Sequence, residues 1–396
     1  MKAALLKNRL NGLLSESIES VLDRENHELE RRIGSLDGDF VLFGAGNLGR
    51  KVLRTLKRIG KTPIGFIDND PALWGKTLEG VPITSPAEAA KQIDPAGTGV
   101  ITTIWYGEAT DKMYDRLDPL TRLGFKKIAL FGHLAWKFPN EFLPHYCLDK
   151  PSKVLPYAKQ IRAAFELLAD DESRAIFVNH IEWRLVLNYD VVPAPSHEEI
   201  YFNGRYVNKL NSEVLYDVGA YTGDSIEGFL STERGAAFSQ IHSFEPSPNN
   251  FLRLEQYVAS RTDVKGKILA HRLALGDSNG SIEVEIEHGP ASRVGKGGDT
   301  VQMATIDDFA KSAALPTFIK IDIEGFEPNC LQGAKETISQ TAPVVAVCVY
   351  HLQSHIWDIL LQLDSYRGDY DFRLCPHVAD GWDLVLYAVP KHRRPG

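Results

Sequence analysis

Cysteine is scarce and scattered in this 396-residue chain: Cys147, Cys330, Cys348 and Cys375 lie far apart, three of them in apolar stretches. That spacing excludes a disulfide framework and a zinc cluster, and reads as reduced core thiols. No apolar run of about 18 residues exists, so no transmembrane helix is expected. Basic charge is also lacking. Lys and Arg number 44 against 52 Asp and Glu, a net charge of -8, which excludes the basic surface that nucleic-acid binding needs. The basic end Lys391-His392-Arg393-Arg394 reads as a solvated tail. Met1 to Leu14 has neither a sustained apolar core nor a small-residue cleavage site, so it is not read as a signal peptide. A cytoplasmic location follows as the default. Low-complexity segments are missing too.

The length implies two domains. Residues 1–37 read as an N-terminal helical segment whose apolar stripe is Ile18, Val21, Leu22, Leu29 and Ile33. The stripe packs on the body of the protein or, alternatively, on a second subunit in a homodimer. Residues 38–135 alternate strand and helix: strands at Phe40–Phe43, Pro63–Ile67 and Val100–Trp105, a helix after Gly49, and another around Pro86–Lys91. Residues 136–200 contain Pro139, Pro144, Pro151 and Pro156, then helices at Tyr157–Leu168 and about Ser173–Leu187, and form a proline-rich linker and helical bridge. Residues 201–396 start a second alternating series, with strands at Val214–Val218, Ile241–Phe244, Ile268–Ala274, Phe318–Ile323 and Val344–Tyr350. Helices are expected at Ser225–Leu230, Pro248–Ser260 and Pro328–Ile338. Strands Phe372–Cys375 and Leu384–Val389, separated by the turn signal Asp380-Gly381, are expected to close the sheet as an antiparallel hairpin. The fold class is α/β, with two tandem Rossmann-like domains.

In the second series, Tyr216-Asp217-Val218-Gly219-Ala220-Tyr221-Thr222-Gly223-Asp224 follows a strand and opens a helix. Glycines there allow positive φ and close backbone approach to a ligand, while the helix N-terminus suits a carboxylate. Asp217 at the strand tip can accept from an ammonium group or a water. Glu245 ends the next strand, where a carboxylate can take ribose hydroxyls.

The segments Asp217–Asp224, Ser243-Phe-Glu-Pro-Ser-Pro-Asn249, Ala274-Leu-Gly-Asp277, Thr305-Ile-Asp-Asp308 and Ile319-Lys-Ile-Asp-Ile-Glu-Gly-Phe-Glu327 occur in order. Together, over roughly residues 200–390, they resemble the FkbM family of methyltransferases. The resemblance implies a class I methyltransferase fold, S-adenosylmethionine as methyl donor, and O-methylation of a hydroxyl on a sugar, glycolipid or natural-product acceptor. The donor-binding set it implies is Asp217, Gly219, Ala220, Tyr221, Thr222, Gly223, Asp224, Glu245, Leu275 and Asp322, with Ala274–Asp277 near the adenine.

Methyl transfer to an alcohol needs alignment and removal of a proton. Asp322 and Glu324 fall at the end of the fourth strand and share a face if the strand persists; His351 ends the neighbouring strand. Asp322 or His351 is expected to serve as base and Glu324 to orient the acceptor. Lys320 is read as neutralising the two acids. No metal-ligand spacing stands out, so no metal is expected; the alternative is a divalent cation held by Asp322 and Glu324, with His351. No Asn-Pro-Pro-aromatic segment follows the strand, which lowers the case for amine or nucleobase methylation. The loop Glu287–Asp299 is expected to be mobile and to act as a lid.

In the first series, Gly44-x-Gly46-x-x-Gly49 with Asp68 about twenty residues on meets the dinucleotide fingerprint. The stretch Val41–Pro82 resembles the N-terminal domain of bacterial sugar acyltransferases, which implies nucleotide-sugar binding. A structural role, a nucleotide or nucleotide-sugar site, and an NAD-dependent oxidoreductase centred on this loop are the readings left open.

Overall fold

The computed structural model describes residues 2–105, 112–235, 237–284 and 298–395. The expected lid, Glu287–Asp299, lies outside the described residues except for Gly298 and Asp299. The chain divides into two compact units, one of residues 1–8, 159–178 and 195–396, the other of residues 9–158 and 179–194.

The unit of residues 9–158 and 179–194 is built on a six-stranded sheet. Its strands are β1 (Phe40–Phe43), β2 (Gly65–Ile67), β3 (Thr77–Leu78), β4 (Val81–Thr84), β5 (Gly99–Thr102) and β6 (Lys127–Ala129), in the order β3-β4-β2-β1-β5-β6. All neighbours are parallel except β3 and β4. The central strand β1, Phe-Val-Leu-Phe, is buried at every position, as a parallel strand covered on both faces must be. Helix Ile18–Ile33 starts on the Ser17 side chain, which accepts from Ser20 N–H. Its buried row is Val21, Glu25, Leu29 and Ile33, an i, i+4 repeat, whereas Ile18 and Leu22 are exposed. The expected stripe is thus rotated. Glu25 can occupy an apolar row because Lys150 Nζ lies 2.8 Å away and Ser152 N–H donates to it.

The other unit contains β7 (Glu213–Val218), β8 (Phe238–Phe244), β9 (Ile268–His271), β10 (Ala274–Leu275), β11 (Gly280–Val284), β12 (Asp299–Ala304), β13 (Phe318–Ile321), β14 (Val344–Cys348), β15 (Tyr370–Pro376) and β16 (Leu384–Pro390). Seven form one sheet, β15-β16-β14-β13-β7-β8-β9. β14, β13, β7, β8 and β9 are parallel; β16 runs antiparallel to both β14 and β15. From β7 the chain builds outward through β8 and β9 on one side and through β13 and β14 on the other. The switch point, where open α/β sheets expose a crevice beyond their strand ends, therefore falls between β7 and β13.

Three expectations differ from the structure. The single strand Ile268–Ala274 is divided: β9 stays in the main sheet, and β10 joins β12 and β11 in a three-stranded sheet. The helix over Pro328–Ile338 breaks at Gly333, which leaves no room for a side chain beside the Gly276 carbonyl. Strand β13 ends at Ile321 instead of Ile323, and the chain turns, with Glu324 at φ +56° and Gly325 at φ +109°. Asp322 and Glu324 consequently meet through a turn and not through strand alternation.

Candidate active site

The loop after β7 is shaped by what its glycines must avoid. Gly219 has φ +79°, and a Cβ there would overlap the backbone carbonyl oxygen of Asp322. Gly223 has φ +103°, and a Cβ would run into the ring of Tyr257. Both glycines serve contacts within the protein, where the sequence pattern suggested room for a ligand. Asp217 likewise lies behind the wall. It is fully buried, accepts from Ser225 Oγ at 2.7 Å, and pairs with Lys320 Nζ at 3.2 Å. It is not among the residues that line the cleft. Lys320 also donates to the Gly219 carbonyl. Burial alone would lower its pKa; Asp217, then Asp322 and Asp224, hold it above the usual lysine range.

In front of this wall an open cleft encloses about 880 Å³ including its mouth. Of the residues expected at the donor, Gly219, Tyr221, Asp224, Glu245, Leu275 and Asp322 line it, with Ala274 and Glu324; Asp217, Ala220, Thr222 and Gly223 sit in or behind the loop. Its lining combines the apolar Leu273, Leu275, Val284 and Phe326 with the acids Asp224, Glu245, Asp322 and Glu324. Glu245 stands at the tip of β8. Its Oε2 accepts from Tyr221 N–H at 3.0 Å and its Oε1 from Ser247 N–H at 2.8 Å. Burial raises this carboxyl to about 7 against the lowering effect of those two hydrogen bonds. Asp224, in the first turn of helix Asp224–Ser231, is raised chiefly by burial.

The tips of β13 and β14 bring the expected catalytic residues together. His351 Nε2 lies 3.4 Å from Asp322 Oδ1 and 3.8 Å from Glu324 Oε2. His351 is only 2% exposed and stands behind the two acids, away from the cleft surface. Its Nδ1 is 2.7 Å from Glu327 Oε1. Burial alone would lower the imidazole pKa, but Glu327 first, then Asp322 and Glu324, bring it up to about 9. Asp322 Oδ2 accepts from the Tyr201 hydroxyl at 2.7 Å. Asp383, raised to about 6 by burial and by the Asp322 charge, adds to a neighbourhood rich in carboxylates.

Among the described residues, Asp322, Glu327 and His351 are the set whose ligand atoms all come within 4.8 Å. Glu327 Oε1 already accepts from three N–H groups, those of His351, Ile323 and Gly325. Its Oε2, in contrast, has no hydrogen-bond partner and lies 3.3 Å from His355 Nδ1. Glu327 and Tyr201 were not singled out from the sequence. Glu327 could have been found as the acid three residues after Glu324 at a helix start; Tyr201 carries no local signal.

In the other unit, the Gly44–Gly49 loop repeats the design. Asp68 Oδ2 accepts from Ala45 N–H at 2.6 Å and its Oδ1 from Asp70 N–H at 2.8 Å. A Cβ on Gly49 would overlap the Gly44 carbonyl, while one on Gly46 would meet nothing within 4 Å.

Residues 217–374 match the family model described as the methyltransferase FkbM domain. The crystal structure of methyltransferase FkbM from Methylobacillus flagellatus KT is similar at a TM-score of 0.76 and 22% identity, covering 95% of this chain and 99% of that one, which shows a shared fold. A putative rRNA-methylase from Clostridium thermocellum aligns with 48% of this chain and 90% of its own at TM-score 0.30 and 8% identity. A putative methyltransferase from Streptococcus mutans, in complex with SAH, aligns with 47% and 92% at TM-score 0.28 and 9% identity. The comparison with curated proteins gives no match. The matched segment starts at Asp217 and so contains the glycine loop, Glu245, Asp322, Glu324 and His351.

Proposed function

We propose that the chain is an S-adenosylmethionine-dependent O-methyltransferase acting on a hydroxyl of a sugar, glycolipid or natural-product acceptor. The observation that carries this reading is one cleft at the β7/β13 switch point whose lining combines Glu245 and the apolar Leu273, Leu275, Val284 and Phe326 with the acids Asp224, Asp322 and Glu324. The lining fits the donor. Glu245 has lone pairs left for ribose hydroxyls, the apolar side chains suit a flat adenine ring, and Asp224 supplies negative charge for an ammonium group. S-adenosylmethionine supplies an electrophilic methyl group on a sulfonium.

The chain's own part is to align the acceptor and remove its proton. Asp322 lines the cleft whereas His351 does not, so Asp322 is the group that takes the hydroxyl proton. Tyr201 holds one Asp322 oxygen by its hydroxyl, and His351 faces the other. Glu324 can accept from a second acceptor hydroxyl, an arrangement suited to a polyol. For the Gly44–Gly49 loop the observed clamp between Asp68 and Ala45 supports a structural role.

Isothermal calorimetry with S-adenosylmethionine, followed by transfer of labelled methyl to a panel of methyl glycosides and glycolipids, tests the reading. Binding is expected to be lost or weakened about tenfold in Glu245→Gln, and transfer to be lost in Asp322→Asn with binding kept. No heat from the wild-type chain would sink the proposal.

A further inference from the structure

Glu327 is fully buried behind the cleft wall, at the first position of helix Glu327–Gln332. A carboxylate in such a place must be offset by donors and positive charge. Its Oε1 accepts from Ile323 N–H at 3.0 Å and Gly325 N–H at 3.3 Å, the two amides that bracket Glu324 in the turn after β13. The same oxygen meets His351 Nδ1 at 2.7 Å, and Oε2 lies 3.3 Å from His355 Nδ1. One side chain thus fixes both the turn that presents Asp322 and Glu324 and the imidazole that faces them. His351 Nε2 has no hydrogen-bond partner and lies 3.4 Å and 3.8 Å from oxygens of the two cleft carboxylates.

We propose that Glu327 is a positioning residue for methyl transfer: it pins the Asp322–Glu324 turn and holds His351 as an imidazolium that steadies the Asp322 base from behind. The inference rests on Asp322 as the proton acceptor of the proposed reaction. Groups around His351 come from several elements: Asp322 and Glu324 from the turn after β13, Glu327 and His355 from the helices, the Tyr350 ring tilted against the imidazole at 4.2 Å, and Asp383 beside the start of β16. Carboxylates dominate that set, which favours a proton on both ring nitrogens. Glu327 answers in kind. Burial alone would raise its carboxyl, but the charge and hydrogen bonds of His351, with those of His355, hold it well below the usual range. A proton on Nε2 as well as on Nδ1 puts positive charge beside Asp322 and Glu324, which an imidazole protonated at Nδ1 alone does not. A divalent cation held by Asp322, Glu327 and His351 is the competing occupant, and it would have to displace the proton from the ring nitrogen that it binds.

The test is a histidine NMR titration of the full chain carrying ¹³C-labelled histidine, with the His351 signal assigned by its loss in His351→Gln. The wild type is expected to show His351 as imidazolium at pH 7.5, with a midpoint near 9. In Glu327→Gln the midpoint falls by a pH unit or more, a tenfold or greater loss of proton affinity; in Glu327→Asp, which keeps the charge, it stays above 7.5. A neutral His351 at pH 7.5 in the wild type overturns the proposal whether or not the variants fold. So does an unchanged midpoint in a folded Glu327→Gln chain, or selective broadening of the His351 signal by equimolar Mn²⁺. Calorimetry with S-adenosylmethionine on the same samples keeps the two readings separate: without donor binding the methyltransferase chemistry fails while the titration still decides the role of Glu327.

Discussion

Glu245 and Asp68 do the same job in different sheets: each ends a second strand and uses one carboxylate oxygen to accept from an amide of the glycine loop beside it. For Glu245 the consequence can be followed with pH. Its folded pKa, about 7, lies above the 4.5 of a free carboxyl, so the folded chain holds the proton more tightly than the unfolded one. Stability from this group is therefore full at acid pH and declines as pH rises from about 4.5 to about 7. At roughly 1.36 kcal/mol per pH unit of displacement, the decline is at most about 3 kcal/mol. Urea unfolding of the wild type and of Glu245→Gln at paired pH values should show the variant gaining on the wild type between pH 5 and 7.5. Parallel stability curves would contradict burial as the dominant cause. His351 acts in a different window, because its raised pKa contributes stability that persists through neutral pH and disappears toward about 9.

The glycine loops show what each position of an element demands. Gly219→Ala adds a Cβ that overlaps the Asp322 carbonyl at φ +79°, so a loss of more than about 2 kcal/mol is expected from backbone strain and displacement of the turn. Gly46→Ala adds a Cβ to open space at φ -76°, and should change stability by no more than about 0.5 kcal/mol. Thermal or denaturant unfolding checks both, and equal effects would refute the argument. The same positions mark how far the sequence could be read. Asp217, Gly219 and Gly223 announce a strand-loop-helix by type and spacing, but not that their neighbours are Lys320, the Asp322 carbonyl and Tyr257, since such contacts depend on which strand tips the sheet order brings together. Strand alternation was the wrong basis for pairing Asp322 with Glu324; the turn at Glu324-Gly325 depends on Glu327, whose role is tertiary. Helix His355–Tyr366 and strands β11 and β12 were also missed, the strands because Gly280–Val284 and Asp299–Ala304 are short and largely exposed on one face.

At the scale of the chain, the unit that holds the cleft is more than the segment that matches the family model. Leu168 bridges Phe372 of β15, Ala169 N–H donates to the Phe372 carbonyl at 2.9 Å, Ser173 Oγ accepts from Leu374 N–H at 3.1 Å, and Asp170 pairs with Arg373 at 2.5 Å. These contacts cover the outer side of β15, the last strand of its sheet, which would otherwise offer unpaired amides to other chains. A fragment beginning at Pro195 lacks them. It should elute as aggregate in size-exclusion chromatography or bind S-adenosylmethionine at least tenfold more weakly than the full chain; a monodisperse, fully binding fragment would show that residues 159–178 are dispensable.

The interleaving of segments also sets an order of birth. Once residue 194 has left the ribosome, every part of the unit made of residues 9–158 and 179–194 exists, and that unit can fold while synthesis continues. Residues 159–178, made earlier than the strand they cover, must wait for Tyr370–Pro376, which follows well after residue 194. The unit that holds the cleft is thus completed after the other one, and its helices spend that interval without the edge strand they cover.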